Sequence, residues 1–288
     1  MGSFKNFLYD HAQLYDEAFP DQTSSSYCLS AIERYAAQKP RSILDLGCGT
    51  GSTLEILSKK IACCVGIDLL PSMIEYGKKV RPNLDLRVGD MTQVNLLRTF
   101  DVVCCFGWAF SYLLTDPEIQ EGIKGFARHA HPGTLLTFDC GQADAYMSMK
   151  SMPTPVTEIE THHYKATAHA TLDLDRIRLL LTRKRIWELP GGERVTDTCQ
   201  YRLHHAHELK EKLEKEGFEV LEMAGDPAGK KQAPDESTLY VTAIKKRGSS
   251  GFGVGDQHFQ KGHRPRPLTP PSPASGRGEQ ISPSCLDE

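Results

Sequence analysis

A glycine-rich turn is the strongest chemical signal in this sequence. Residues 43–51 are Ile-Leu-Asp-Leu-Gly-Cys-Gly-Thr-Gly. Glycines at such a position let the backbone turn sharply from a strand into a helix and approach a ligand closely. Asp68 ends the next apolar run, 21 positions after Gly47, where a carboxylate can accept hydrogen bonds from both hydroxyls of a ribose. Together the turn and the acid predict a site for a cofactor that contains a nucleoside.

The spacing of the glycines argues against a dinucleotide. The third glycine of the NAD fingerprint would stand at position 52, which is Ser52. Asp45 lies just before the first glycine, where a carboxylate would repel a pyrophosphate and attract an ammonium group. We therefore expect a nucleoside cofactor with a positively charged amino group.

The first half of the chain alternates short apolar strands with helices. The pattern predicts strands at 42–46, 63–67, 84–88, 100–106 and 134–140, and helices at 24–37, 50–60, from Pro71 onward and at 117–129. Such alternation is typical of an α/β fold with a parallel, doubly wound sheet.

The second half differs in composition. Residues 156–204 are rich in Thr, Ile, Leu, Tyr and Val, and Pro190-Gly191-Gly192 predicts a hairpin turn between residues 178–189 and 193–203. We expect an antiparallel sheet of two to four strands, inserted at about residues 142–204, that forms a wall or lid of an acceptor pocket. A helix at 206–216 and strands at 218–223 and 239–244 complete the predicted domain.

Composition limits the partners and the setting. The net charge of -3 argues against a general electrostatic interaction with nucleic acid or an anionic membrane. The richest apolar run, 102–110, is too short for a membrane span, and the N-terminus lacks the apolar region of a secretory signal. The nine cysteines include no CxxC, which favours a reduced, cytoplasmic protein over a disulfide framework or a zinc ribbon.

The domain is expected to span residues 1–247. Residues 248–288 contain many Pro, Gly and Ser residues and almost no apolar periodicity. Such a segment cannot bury enough surface to offset the entropy of ordering it, so we predict a disordered tail.

These motifs resemble those of the class I S-adenosylmethionine (SAM) dependent methyltransferases, over roughly residues 4–247. The matching segments are 45–51 for the first motif, 66–73 for the ribose-binding segment, 88–91 for the adenine segment, 100–106 for the strand that faces the methyl donor, and 208–218 for the late helix-strand unit. The resemblance implies S-adenosyl-L-methionine as cofactor. It also implies a Rossmann-like, seven-stranded methyltransferase sheet with an inserted antiparallel β-sheet.

A closer resemblance is to bacterial aminosugar N,N-dimethyltransferases. The shared features are Tyr9-Asp10, Leu14-Tyr15-Asp16, Tyr27 and the long insert. The sequence departs from that family after the fourth strand, where residues 107–112 are Gly-Trp-Ala-Phe-Ser-Tyr and the family tends to carry Ser-Ser-Ile-Gly-His. The resemblance implies methyl transfer by direct displacement to a small-molecule acceptor, with an amine favoured. The alternatives are O- or C-methylation of a secondary metabolite and a SAM-binding regulator without catalysis.

The motifs and the resemblance together define the expected site. The residues expected to bind the cofactor are Tyr27, Asp45, Gly47, Cys48, Gly49, Gly51, Asp68, Leu69, Asp90, Met91 and Phe106. Those expected to position the acceptor or remove its proton are Tyr15, Tyr112 and His204.

Other features of the sequence set the remaining expectations. Trp108, Phe110 and Tyr112 predict an aromatic wall of the acceptor pocket. The histidines at 204, 205 and 207 and at 162–163 lack the spaced carboxylate or cysteine partners of a metal site, so no metal is expected. The protein is expected to act as a monomer or homodimer, without nucleic acid or membrane.

Overall fold

The computed structural model of the protein describes residues 6–21, 23–162, 164–228 and 236–247. The predicted disordered tail at 248–288 lies outside the described residues.

Helices and strands alternate through the first half as the sequence predicts. The helices are α1 Ala12–Ala18, α2 Ser24–Tyr35, α3 Ser52–Leu57, α4 Pro71–Val80, α5 Asp116–Arg128, α6 Ala143–Ser148 and α7 Ala206–Lys215. The strands are β1 Ser42–Leu46, β2 Cys63–Asp68, β3 Asp85–Val88, β4 Phe100–Cys105, β5 Ala130–Gln142, β6 Val156–Glu160, β7 Lys165–Asp175, β8 Leu180–Glu188, β9 Arg194–His204, β10 Phe218–Ala224 and β11 Thr238–Lys245. Short 3₁₀ turns lie at Phe7–Tyr9, Ala109–Tyr112 and Pro190–Gly192.

Seven of the strands form the central sheet, and this confirms the predicted fold class. Strands β3, β2, β1, β4 and β5 are neighbours in that order, and their pairings are parallel. Strand β11 pairs antiparallel with β5, and β10 pairs antiparallel with β11. The parallel strands place their carboxyl ends along one edge of the sheet, where doubly wound folds bind ligands.

The insert is a four-stranded antiparallel sheet, at the upper end of the predicted range. Strands β6, β7, β8 and β9 pair in sequence order. The predicted hairpin is present, because β8 and β9 pair antiparallel on either side of the turn. Gly191 and Gly192 each adopt a φ of 84° in that turn. A short parallel pairing, Gly141 with Leu203 and Gln142 with His204, joins the insert to the end of β5. The insert therefore continues the central sheet beside its carboxyl edge.

Helices cover both faces of the central sheet and exclude water from it. One apolar cluster includes Phe100, Phe110, Phe126 and Phe138, all fully buried. Helix α5, which carries Phe126, begins with a capping box in which the Thr115 and Glu118 side chains bond to each other's backbone N–H groups. A second cluster on the opposite face packs α2, α3 and α4 onto β1 and β4. The two clusters fix the strands whose ends carry the candidate site.

The segment before α2 is attached to the insert by a buried ion pair. Arg185 Nη2 donates to Asp197 Oδ2 at 2.7 Å and to Asn6 Oδ1 at 2.6 Å. The Phe7 backbone N–H and the Trp187 indole N–H also donate to Asp197 Oδ2, each at 2.9 Å. Burial alone would raise the pKa of Asp197, but the hydrogen bonds from Arg185, Trp187 and Phe7 outweigh it, so the pKa lies below its usual value. This network holds the N-terminal segment across the mouth of the site.

Candidate active site

A cavity of about 840 Å³ lies at the carboxyl ends of β1, β2, β3 and β4. The N-terminal segment and β9 of the insert complete its walls. Its lining includes Tyr9, Tyr15, Asp21, Asp45, Gly47, Cys48, Gly49, Asp68, Leu69, Gly89, Asp90, Met91, Phe106, Gly107, Ala109, Tyr112, Leu113, Leu114, Glu118, Thr198 and Gln200.

The glycine turn after β1 forms the floor of the cavity. Gly47 has a φ of 90°, and its N–H donates to the Ile67 carbonyl at 2.7 Å. A Cβ atom at Gly47 would lie 2.5 Å from Ala109 Cβ, so no other residue fits without displacing the loop after β4. The backbone of the turn is thus held close to the space where a ligand lies.

Asp68 is fixed at the end of β2 by two backbone hydrogen bonds. Its Oδ2 accepts from Gly49 N–H at 2.7 Å, and its Oδ1 accepts from Leu70 N–H at 2.9 Å. Burial raises the pKa of Asp68, and the backbone N–H groups partly oppose this shift. Each oxygen keeps a second lone pair, so the carboxylate can accept the two hydroxyls of a ribose.

Asp45 presents a carboxylate oxygen that lacks a partner. The side chain is 2% exposed, and its Oδ1 makes no hydrogen bond within the described residues. Burial raises the pKa of Asp45 to about 7. A buried, unsatisfied carboxylate is costly, and an ammonium group at this end of the cavity would relieve that cost. The residues present therefore fit the amino group and the ribose of SAM.

The turn after β3 supplies the third acid of the cavity. Asp90 Oδ1 accepts from Thr92 N–H at 2.8 Å and from the Thr92 hydroxyl at 2.7 Å. These bonds orient the turn that carries Met91, and Leu69 lines the same cavity at the end of β2. The ends of β2 and β3 thus bring one polar and two apolar side chains to the part of the cavity where the expected adenine would lie.

Tyrosine hydroxyls form a chain beside the end of β4. Tyr9 Oη lies 3.1 Å from Tyr112 Oη, and the Tyr112 hydroxyl donates to Tyr201 Oη at 3.3 Å. The Tyr15 ring packs edge-on against the Tyr9 ring, with centroids 5.6 Å apart. Burial raises the pKa of Tyr9, Tyr15 and Tyr112, and it raises that of Tyr201 to about 12. The phenols are therefore neutral at neutral pH, and they can orient a polar acceptor through hydrogen bonds.

Asp139 holds the backbone of the loop after β4, and it was not among the residues expected at the site. Its Oδ1 accepts from Trp108 N–H at 2.7 Å, and its Oδ2 accepts from Gly107 N–H at 3.2 Å. Trp108 has a φ of 60°, which is strained for a residue with a side chain. Burial raises the pKa of Asp139 to about 6, against the effect of these two N–H groups. The signal in the sequence was a lone acid within an otherwise apolar strand.

Three of the expected site residues lie outside the cavity lining. Tyr27 is fully buried in the core, and its hydroxyl lies 2.8 Å from Thr242 Oγ1. Gly51 begins α3 with a φ of 87°, and a Cβ there would meet Leu86 Cδ1 at 3.2 Å. Both residues thus have packing or turn roles, and their expected contact with the cofactor stays a prediction.

His204 is the third expected residue that does not line the cavity, and its expected role toward the acceptor stays a prediction. It is 6% exposed and its ring lies 5.3 Å from that of Phe110. Burial lowers the pKa of His204 to about 3, so the imidazole is neutral and weakly basic. The other expected site residues do line the cavity, and their contacts with ligands stay predictions.

The expected aromatic wall is reduced to one residue. Phe110 is fully buried against Phe126 and Phe138. Trp108 packs against Tyr201 of the insert, with ring centroids 5.7 Å apart, and its indole N–H donates to Thr238 Oγ1 of β11 at 3.1 Å. Tyr112 alone of the three lines the cavity. In the 3₁₀ turn at Ala109–Tyr112, residues three apart share a face, so Ala109 and Tyr112 line the cavity while Phe110 and Ser111 are buried.

The fold and the cavity can now be compared with those of known proteins. The antiparallel β11, the glycine turn and the acids at the ends of β1, β2 and β3 match what the resemblance to SAM-dependent methyltransferases implies. A family model described as a methyltransferase domain matches residues 43–133. Residues 43–133, about a third of the chain, are thus similar to a methyltransferase domain.

The chain is similar in sequence to curated aminosugar N,N-dimethyltransferases. The chain is 29% identical over 134 residues to dTDP-3-amino-3,4,6-trideoxy-alpha-D-glucopyranose N,N-dimethyltransferase of Streptomyces venezuelae; the match covers 45% of this chain and 56% of that relative. It is 24% identical over 229 residues to dTDP-4-amino-2,3,4,6-tetradeoxy-D-glucose N,N-dimethyltransferase of Saccharopolyspora spinosa, covering 77% of this chain and 90% of that relative. The chain thus resembles aminosugar N,N-dimethyltransferases, and the first of these matches spans about half of the relative.

Solved structures share the fold. DesVI of Streptomyces venezuelae superposes with a TM-score of 0.69 at 18% identity, over 84% of this chain and 100% of that one. CalS10, a SAM-bound amino pentose methyltransferase from Micromonospora echinaspora, gives a TM-score of 0.67 at 18% identity, over 85% and 100% of the two chains. Among the residues that the structure describes, no helix is both long and apolar enough to cross a membrane.

Proposed function

We propose that the protein transfers a methyl group from SAM to an amine of a small molecule by direct displacement. The observation that carries the proposal is one cavity. It combines the unpartnered Oδ1 of Asp45 and the remaining lone pairs of Asp68 with the neutral hydroxyl groups of Tyr9 and Tyr112. Aminosugars are the first acceptors to test, because the relatives described above act on aminosugars.

The chain's own residues would hold the cofactor at three points. Asp68 would accept the ribose hydroxyls, Asp45 would pair with the amino group, and Asp90 with Met91 and Leu69 would contact the base. Gly47, Gly49, Cys48 and Phe106 line the space between these points. When bound, SAM supplies a methyl group on a positively charged sulfur, so the protein needs no covalent intermediate.

Orientation is the main catalytic contribution that we propose for the protein. Asp139 fixes the Gly107–Trp108 backbone, and the N-terminal segment closes over the cavity with Tyr9 and Tyr15. Holding two reactants in line can lower a barrier by about 7–11 kcal/mol. The Tyr112 hydroxyl would orient the acceptor nitrogen, so that its lone pair faces the methyl group.

The protonation chemistry of the cavity favours an amine over a hydroxyl. An amine needs only to lose one proton, which water or a cavity carboxylate can accept. A hydroxyl would need a strong base, and the described lining residues include no histidine. The raised pKa values of Tyr9, Tyr15 and Tyr112 exclude a phenolate at neutral pH.

Two experiments test the proposal. Calorimetry of SAM and of its demethylated product S-adenosylhomocysteine establishes whether the folded protein binds the cofactor. Methyl transfer from labelled SAM to a panel of aminosugars and hydroxylated compounds, read by mass spectrometry, then locates the new methyl group. Failure of the folded protein to bind SAM would refute the proposal. Binding without transfer to any acceptor would favour the regulator alternative, and transfer to oxygen or carbon would favour the other enzyme alternative.

A further inference from the structure

The charges that line the cavity all have one sign. Five carboxylates line it, at Asp21, Asp45, Asp68, Asp90 and Glu118, and the described lining residues include no Lys, Arg or His. Asp45 Oδ1 is buried and without a hydrogen-bond partner, so at least one of these carboxylates still needs a positive or donor group. SAM carries a single net positive charge, which leaves the loaded cavity negative.

Three described arginines near the cavity interact with other groups. Arg202 donates to the Leu114 carbonyl at 3.5 Å and to Asp116 Oδ1 at 3.3 Å. Arg81 pairs with Asp16 at 3.0 Å and with Glu55 at 2.8 Å. The Arg183 guanidinium lies over the Tyr201 ring, 5.1 Å from its centroid. None of these three arginines lines the cavity.

The acceptor end of the cavity has its own carboxylate. Glu118 lines the cavity beside Leu113 and Leu114, next to Tyr112. Its Oε2 accepts from Leu114 N–H, Thr115 N–H and the Thr115 hydroxyl at 3.1, 3.0 and 2.9 Å. Oε1 makes no hydrogen bond within the described residues, so it is available to a cationic donor. Neutral polar groups at Thr198 and Gln200 lie on the same cavity lining and suit hydroxyl groups.

We infer that the acceptor is a free, polyhydroxylated amine that enters as a cation, and not a sugar linked to a nucleoside diphosphate. The inference rests on the proposed amine methylation and specifies its substrate class. A pyrophosphate inside this cavity would meet five carboxylates and no cationic side chain among the described lining residues, whereas an ammonium group would be attracted. The acceptor would therefore differ from the dTDP-linked sugars in the names of the relatives.

Anion binding is the direct test. The protein, saturated with S-adenosylhomocysteine, is titrated by calorimetry with thymidine diphosphate and separately with inorganic pyrophosphate. We expect no saturable binding at concentrations below the millimolar range. Micromolar binding of either anion would overturn the inference, whatever acceptor is later found.

A paired acceptor assay gives the second test. Each aminosugar of the panel is offered as the free sugar and as its dTDP-linked form, and kcat/KM for methyl transfer is compared. We expect the free sugar to be preferred by at least about tenfold, the factor that corresponds to roughly 1.4 kcal/mol. Preference for the dTDP-linked form would overturn the inference and leave the proposed methyltransferase activity intact. Failure to bind SAM would instead refute the proposed function itself. If no panel member is methylated, the anion titration alone tests the inference about the acceptor.

Glu118→Gln isolates the carboxylate at the acceptor end. Glutamine keeps an acceptor for the capping box, so the fold should persist, as thermal unfolding can verify. We expect the KM of the free amine to rise by about tenfold at unchanged affinity for SAM. The matched control is Glu121→Gln, because Glu121 lies on the same helix, pairs with Lys124 at 2.7 Å and does not line the cavity. Equal effects of the two substitutions on KM would contradict the role of Glu118.

Discussion

Replacing Asp68 by asparagine tests the centre of the candidate site. The substitution keeps the shape of the side chain but removes its charge, and it turns one acceptor oxygen into a donor that faces the N–H of Gly49 or Leu70. A hydrogen bond to a charged acceptor contributes about 1.5–3 kcal/mol. The amide retains one oxygen, so one such bond to the ribose should be lost. We therefore expect the Kd for SAM to rise by about 10- to 150-fold.

Stability should change much less than affinity. Burial raises the pKa of Asp68 above its unfolded value, so the folded protein binds this proton more tightly and loses stability as the pH rises into that range. Asparagine removes this cost at neutral pH while it weakens one backbone hydrogen bond, and the two effects oppose each other. We expect Asp68→Asn to unfold near the wild-type temperature.

The assay is calorimetry of SAM and S-adenosylhomocysteine, with thermal unfolding measured by circular dichroism on the same samples. Asp85→Asn is the control, because Asp85 pairs with Arg87 at 2.6 Å on β3 and does not line the cavity. Wild-type affinity in a folded Asp68→Asn variant would refute the assignment of Asp68 to the cofactor. A large loss of stability in that variant would show that the main role of the carboxylate is to stabilise the glycine turn.

Four further predictions follow from the same geometry. Burial raises the pKa of Asp45 to about 7, and only the ionised form attracts an ammonium group, so the affinity for SAM should increase as the pH rises through 7. Calorimetry should show an affinity that does not change with pH in Asp45→Asn. The same pH dependence in this variant as in the wild type would exclude this carboxylate. Asp139→Asn should lower kcat by about 10- to 100-fold at nearly unchanged affinity for SAM, since a hydrogen bond of about 1.5–3 kcal/mol to the Gly107–Trp108 loop is weakened; a change in affinity alone would contradict the loop role. Asp197→Ala should lower the free energy of unfolding by about 3–5 kcal/mol in denaturant titrations, because it leaves Arg185 buried without its partner, and a loss below about 1 kcal/mol would mean that the pair is hydrated. Tyr27→Phe should leave affinity for SAM unchanged and cost only about 0.5–1.5 kcal/mol of stability through the lost bond to Thr242, so weakened SAM binding in this variant would restore Tyr27 to the site.

The sequence determined the alternation of strands and helices in the central sheet and the acids of the cofactor half. Asp45, Asp68 and Asp90 each lie at the end of a short apolar run, and in a parallel sheet those ends meet at one edge. Their meeting in space thus follows from the alternation of strands and helices and needs no knowledge of packing. The glycine turn was predictable for the same reason, since its conformation depends on neighbours in the chain.

Only the tertiary structure decided which side chains face the cavity in the acceptor half. Strand β5 is buried along residues 134–142, so hydropathy cannot show that Asp139 binds the loop after β4. Phe110 and Tyr112 are two residues apart, yet one packs in the core and the other lines the cavity. His204, which was expected at the site, is buried outside the lining, whereas Glu118, which was not expected there, lines the cavity. Their directions depend on how the insert pairs with the end of β5 and on how α5 packs beneath it, and these contacts join residues far apart in the sequence.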